Sequence, residues 1–156
     1  MKNILAILSI LAFVGFSTAG YSQCKANKMV KANRPLMKPY IYDGYATNDV
    51  NISSKREKVE VEFTAFGRQK YRLVFATSGF TEKSVLNVYD KSSRVKTRAK
   101  IYTNDKSIDK AVWSITPSKT TTYFIEYDID PSSNGAAKKE CVVMIIGYGE
   151  GTEIEE

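Results

Sequence analysis

The stretch Val59–Glu60–Val61–Glu62–Phe63–Thr64–Ala65 alternates apolar and polar residues without a break. A period of two puts Val59, Val61, Phe63 and Ala65 on one side of an extended chain and Glu60, Glu62 and Thr64 on the other. Gly67–Arg68 marks a turn, after which Tyr71, Leu73 and Phe75 alternate with Arg72, Val74 and Ala76. The two runs read as half-buried antiparallel strands made neighbours by that turn. Outward from them the pattern recurs. Val85 to Tyr89 is a short apolar run closed by Asp90–Lys91–Ser92–Ser93, and Val95, Thr97, Ala99 and Ile101 alternate with Lys96, Arg98, Lys100 and Tyr102. Ala111, Trp113 and Ile115 precede Pro117, and Tyr123, Ile125, Tyr127 and Ile129 alternate with Phe124, Glu126 and Asp128. Cys141 to Ile146 is apolar throughout, as in a strand covered on both faces.

No segment sustains a helical period, and β-branched and aromatic residues fill the periodic runs. The sequence therefore predicts an all-β fold: a single antiparallel β-sandwich, jelly-roll-like, of roughly seven to nine strands over residues 39–148. The segments Tyr71–Phe75, Val85–Asp90 and Tyr123–Tyr127 resemble strands of the bacterial pre-peptidase C-terminal type of β-sandwich. That resemblance implies a non-catalytic accessory module of secreted proteins.

The flanks carry different signals. Met1–Lys2–Asn3 is a short positive start, Ile4 to Phe16 is an apolar run broken by Ser9, and small residues follow to Ser22. This is the pattern of a cleaved signal peptide over 1–22. The run spans roughly 20 Å as a helix, short of a bilayer core of about 30 Å, so no transmembrane anchor is expected. Cleavage after Ser22 would leave Gln23 first, which resembles small exported proteins of the Bacteroidetes type; cleavage after Ala19 is the alternative. A lipid anchor on Cys24 is disfavoured, because Tyr21 and Gln23 stand where a lipobox has an aliphatic and a small residue. Residues 23–38 read as an extended basic arm, with Lys25, Lys28, Lys31, Arg34 and Lys38 and no acid among them. Residues 149–156 read as a flexible acidic tail. The chain has two cysteines, Cys24 and Cys141; in an exported protein these are expected to form one structural disulfide, the alternative being a reactive thiol with no activating neighbour.

The chain of 156 residues contains no histidine, which removes the commonest metal ligand, the commonest general base and the serine-hydrolase triad together. No metal site or cofactor is expected. The formal charge is +6, from 23 basic and 17 acidic residues, yet no nucleic-acid motif accompanies it. Two basic ladders stand out: Arg68, Lys70 and Arg72, and Lys96, Arg98 and Lys100. Side by side they would form a cationic patch for phosphate, sulfate or envelope head groups. The competing reading is charge pairing, with Glu60 and Glu62 across the Gly67 turn from Lys70 and Arg72, and Glu126 and Asp128 on a later strand.

The cluster Tyr40, Tyr42, Asp43 and Tyr45 is the candidate recognition surface, with rings to stack on sugars and an acid for hydroxyls. The alternative is an edge strand whose rings cap the core. Trp113 reads as core. Asp128 with Asp130, and Asp105 with Asp109, are the carboxylate pairs a hydrolase could use, though neither sits in a visible pocket motif. The leading expectation is an exported non-enzymatic binding or accessory module for a glycan or an anionic envelope component. A structural part in an envelope assembly and a small aspartate-dependent glycan hydrolase are the alternatives.

Overall fold

A computed structural model describes residues 24–149, apart from 79, 81–82, 134 and 136. The leader over 1–22, its cleavage site and residues 150–156 of the acidic tail lie outside the described residues. Eight strands follow a short helical segment: β1 Ile41–Ile52, β2 Glu57–Ala65, β3 Lys70–Thr77, β4 Ser84–Tyr89, β5 Lys100–Asn104, β6 Val112–Ile115, β7 Thr121–Ile129 and β8 Lys138–Gly149. They form two four-stranded sheets, ordered β1-β8-β3-β6 and β2-β7-β4-β5, and every pairing is antiparallel. First pairs with last, second with seventh, third with sixth and fourth with fifth. A long hairpin wound across two sheets in this way is a jelly roll.

The alternation seen in the sequence decides which side chains meet between the sheets. Tyr71, Leu73, Phe75, Val142, Met144 and Trp113 from the first sheet pack against Phe63, Leu86, Val88, Tyr123, Ile125 and Tyr127 from the second. Edge-to-face ring pairs link Trp113 to Tyr123 at 5.1 Å and Phe63 to Tyr71 at 5.4 Å. Trp113 is core, as its neighbours Ala111 and Ile115 imply. Tyr127 is buried, and its hydroxyl accepts a bond from Asn48 Nδ2 at 3.3 Å. Burial, partly offset by that bond, pushes its pKa well above the ordinary phenol value.

Three local expectations are corrected. The turn at Gly67–Arg68 does not join neighbouring strands, because β2 and β3 belong to different sheets. The chain crosses from one sheet to the other there, with Arg68 at φ 65° and its N–H bonded to Pro117 O at 2.7 Å. Gly67 has no room for a side chain: a Cβ would stand 2.8 Å from the backbone of Lys119. Secondly, the alternation from Val95 to Tyr102 gives a strand only from Lys100. The preceding residues close a loop in which Asp90 N–H bonds Ala99 O at 3.1 Å and Asp90 Oδ1 accepts Ala99 N–H at 2.6 Å.

Thirdly, the basic arm is not extended. Ala26–Asn33 is an α-helix, α1, and Arg34–Met37 continues as a 3-10 helix that Pro35 starts. Ala26, Met29 and Val30 recur at helical spacing, and with Met37 they pack on Val74, Val143 and Ile145. So short a helix is marginal alone, and it persists because this apolar stripe covers the outer face of the first sheet. That cover is why β8 is apolar on both faces. The Cys24–Cys141 disulfide, across a sequence separation of 117, fastens the start of α1 to β8.

Candidate functional site

The outer face of the first sheet carries a groove. Lys31 and Arg34 from the helical segment, Pro35, Met37 and Lys38 after them, and Tyr40 and Tyr42 from the entry to β1 line about 480 Å³ of open space. A second groove of about 480 Å³ adjoins it across Tyr40, lined by Pro39, Ile41, Lys70 and Gly149. Among the described residues no carboxylate lines either one. Lys31, Arg34, Lys38 and Lys70 have no ion-pair partner among the described residues.

Local register explains the tyrosines. β1 and β8 slip between Tyr42 and Gly44, so that Tyr42 opposes Gly147 and Tyr45 opposes Ile145. The extra residue at the bulge, Asp43, leaves Tyr42 and Tyr45 on the same outer face although they are three apart. Tyr45 donates its hydroxyl proton to Asn27 Oδ1 at 3.0 Å, so its ring braces α1. Arg34 lies 4.8 Å from the centre of the Tyr42 ring, and Arg72 lies 4.4 Å from that of Tyr40. Arg72 also donates to Ser114 Oγ at 3.1 Å and to the carbonyls of Leu36 and Lys38. Each of these two rings therefore has an arginine across one face, and Arg34 lines the first groove. Asp43 is exposed at the bulge and does not line the groove.

The two basic ladders are not brought together. Lys70 and Arg72 belong to β3 in the first sheet, whereas Lys96, Arg98 and Lys100 precede or begin β5 in the second. Arg68 is exposed at the crossover. Arg98 turns inward on the outer face of the second sheet, where its Nη2 donates to Glu126 at 2.7 Å and its Nη1 to Glu60 at 3.2 Å. Lys58 Nζ bridges Glu126 at 3.2 Å and Asp128 at 3.1 Å. Arg56 forks onto Asp128 at 2.5 and 3.1 Å. Glu60 further accepts the Ser93 N–H at 2.8 Å and the Ser92 hydroxyl at 3.0 Å.

Pairing is thus the fate of Arg98, but its partners are Glu126 and Glu60. Glu60 does not pair across the Gly67 turn with Lys70 or Arg72. Burial pushes the Glu126 and Asp128 carboxyls up, yet hydrogen bonds from Arg98 and Lys58, and from Arg56 and Lys58, outweigh it and hold both below their ordinary values. Asp128, the first carboxylate of the hydrolase alternative, is therefore an ionised member of a salt-bridge network. Asp109 accepts the Thr77 N–H at 3.0 Å. Lys96 remains exposed, and Lys100 Nζ stands 5.9 Å from the Tyr89 ring.

Of the residues singled out in the sequence, Tyr40, Tyr42 and Lys70 line these grooves and Arg72 lies against Tyr40, whereas Lys31, Arg34 and Lys38 were read only as part of an extended arm. Their spacing of three and four was the available signal, since it places them along one side of a helical segment.

No family model matches the chain, and no curated protein does. Among solved structures it is similar to the Aeromonas hydrophila PliG, a periplasmic lysozyme inhibitor of g-type lysozyme, at 12% identity over 68% of this chain and 87% of that one, with a TM-score of 0.43. It is also similar to the Yersinia pseudotuberculosis-derived mitogen, at 13% identity over 74% and 93%, TM-score 0.43. The Salmonella Typhimurium PliG matches at 14% identity over 67% and 88%, TM-score 0.38. Likeness this distant transfers no ligand to this chain.

Proposed function

We propose that this protein is an exported, non-enzymatic binding module whose helix-covered face takes an anionic glycan of the cell envelope. The observation that carries the reading is the groove itself: Lys31, Arg34 and Lys38 converge on it with Tyr40 and Tyr42, and no acid among the described residues lines it. Cations without local partners, one of them oriented by an aromatic ring, suit phosphate, sulfate or carboxylate groups spaced along a polymer. The neighbouring groove past Tyr40 extends the same surface to Lys70 and gives an extended chain somewhere to continue. The disulfide fits an oxidising compartment, and export accords with the leader pattern at the start of the chain.

Titration of the purified protein with an acidic and a neutral polysaccharide tests the reading. The acidic polymer should bind in a salt-sensitive way, and Lys31→Ser with Arg34→Ser should weaken it by about tenfold or more. Changing Lys96 and Lys100 to Ser should leave binding in place. Equal affinity for the neutral polymer, or binding indifferent to Lys31 and Arg34, would reject the assignment.

A further inference from the structure

The end of the sandwich beside the second groove exposes apolar side chains that no other described residue covers. Phe66, at the crossover from β2 to β3, is 66% exposed, Ile41 is 50% exposed and Tyr148 is 37% exposed. They are neighbours in space. Ile41 opposes Tyr148 in the β1–β8 pairing, Tyr148 opposes Tyr71 in the β3–β8 pairing, and the Tyr71 hydroxyl accepts the Phe66 N–H at 3.2 Å. Cations lie close by: Arg68 and Lys70 are two and four residues after Phe66, and the backbone of Lys119 packs against Gly67 of the same crossover. The segments that build this end, 38–42, 66–71, 115–121 and 146–149, contain no aspartate or glutamate.

An exposed aromatic ring at a crossover that also carries cations has the chemistry of an interfacial anchor: apolar groups enter the boundary between head groups and acyl chains, and the cations meet anionic lipid. We propose that this end of the sandwich docks on an anionic lipid bilayer, with Phe66 and Ile41 entering the interface and Arg68, Lys70 and Lys119 against the head groups. The charge of the surface selects the partner. A neutral apolar protein face would gain nothing from the cations, whereas an anionic bilayer satisfies both parts of the surface at once. This docking shares Ile41 and Lys70 with the second groove but none of Lys31, Arg34 and Lys38, and it would hold the binding module at a membrane without a spanning helix.

The full chain carrying Phe66→Trp provides the direct test. Trp113 is the sole native tryptophan and lies buried in the core at 5% exposure, so a change in emission reports the new residue. With vesicles of phosphatidylglycerol and phosphatidylcholine, emission should shift to the blue and be quenched by brominated lipid. In co-sedimentation, Phe66→Ala should lower partitioning by about tenfold. Arg68→Ser with Lys70→Ser should do the same and abolish most of the salt dependence. Equal binding to pure phosphatidylcholine, or vesicle binding unchanged in both variants, would overturn the proposal. So would capture of a protein by this end without any vesicle binding. Vesicle binding lost only in the Lys31 and Arg34 variant would assign the lipid to the groove and also reject it.

Discussion

The two outer faces of the sandwich use the same residue types to opposite ends. On the second sheet, Arg56, Lys58 and Arg98 each reach a carboxylate, because Glu60, Glu126 and Asp128 project from neighbouring strands on that face. On the first sheet the outward positions of β8 are Cys141, Val143 and Ile145, which take an apolar helix and offer no anion. Cations carried in on that helical segment are left facing water and a groove. Whether an arginine is structural or available is decided by what its neighbouring strands project, and an isolated ladder of basic residues does not contain that information.

The largest way to break this comparison is to unfasten the helix. Replacing Cys24 and Cys141 with serine should lower stability by about 2–5 kcal/mol, close to the 4–5 kcal/mol that loop entropy gives for so long a closure. Denaturant melts under non-reducing conditions measure it, and helical circular dichroism should fall before the strand signal does. A change that spares the helix would separate the bond from the cover it holds.

A smaller blow falls on the seat of the 3-10 helix. A Cβ on Gly147 would stand 2.9 Å from Ile41 O and closer still to the Met37 methyl. Met37 can move, but the backbone oxygen cannot move without disturbing β1. Gly147→Ala should therefore destabilise by about 1–3 kcal/mol and loosen the groove wall, which thermal melts and polymer binding would both register.

On the opposite face the lever is Glu126, whose side chain is 4% exposed. Glu126→Gln should cost about 1–2 kcal/mol, since Arg98 and Lys58 lose their shared charge but keep Glu60 and Asp128. Its pH dependence has a definite sign. The folded protein holds Glu126 and Asp128 below their ordinary values of 4.5 and 3.8, so their contribution is present above those values. It is lost as pH falls through the lower folded values. Unfolding free energy should drop on acidification below about pH 4.5, and Glu126→Gln should flatten that slope.

The smallest effect on stability belongs to the groove. Lys31→Ser with Arg34→Ser should shift it by no more than about 0.5 kcal/mol, as exposed unpaired cations do. A larger loss in chemical denaturation would mean that these residues hold the helix and are not free for a ligand.

The architecture was legible because its cause is local. Alternation in β2, β3 and β7 and the apolar run of β8 follow directly from which sheet face each position meets. The topology was less visible: a crossover at Gly67 and a hairpin at Gly67 have the same turn residues, and only distant pairing separates them. The helix was hidden by its charge. Five cations mask the recurrence of Ala26, Met29 and Val30, and the partner that stabilises it, β8, is over a hundred residues away. The fate of Arg98 was half legible. Glu126 was foreseeable as a partner, but the loop that turns Arg98 onto Glu60 is tied by Asp90 and Ala99, a closure that strand periodicity cannot anticipate.

The concentric pairing of the strands also sets a timetable. A chain emerging from its N-terminus presents β1, β2 and β3 long before β8, β7 and β6 exist to receive them. Only β4 and β5 meet their mate within one short connection. The remaining pairs close progressively longer loops, and β8 must enter last, into the middle of a sheet between β1 and β3. Folding of this kind is slow and late. Until the final strand arrives, the early ones are open edges, so the nascent protein depends on being kept apart from its copies until its last strand is in place.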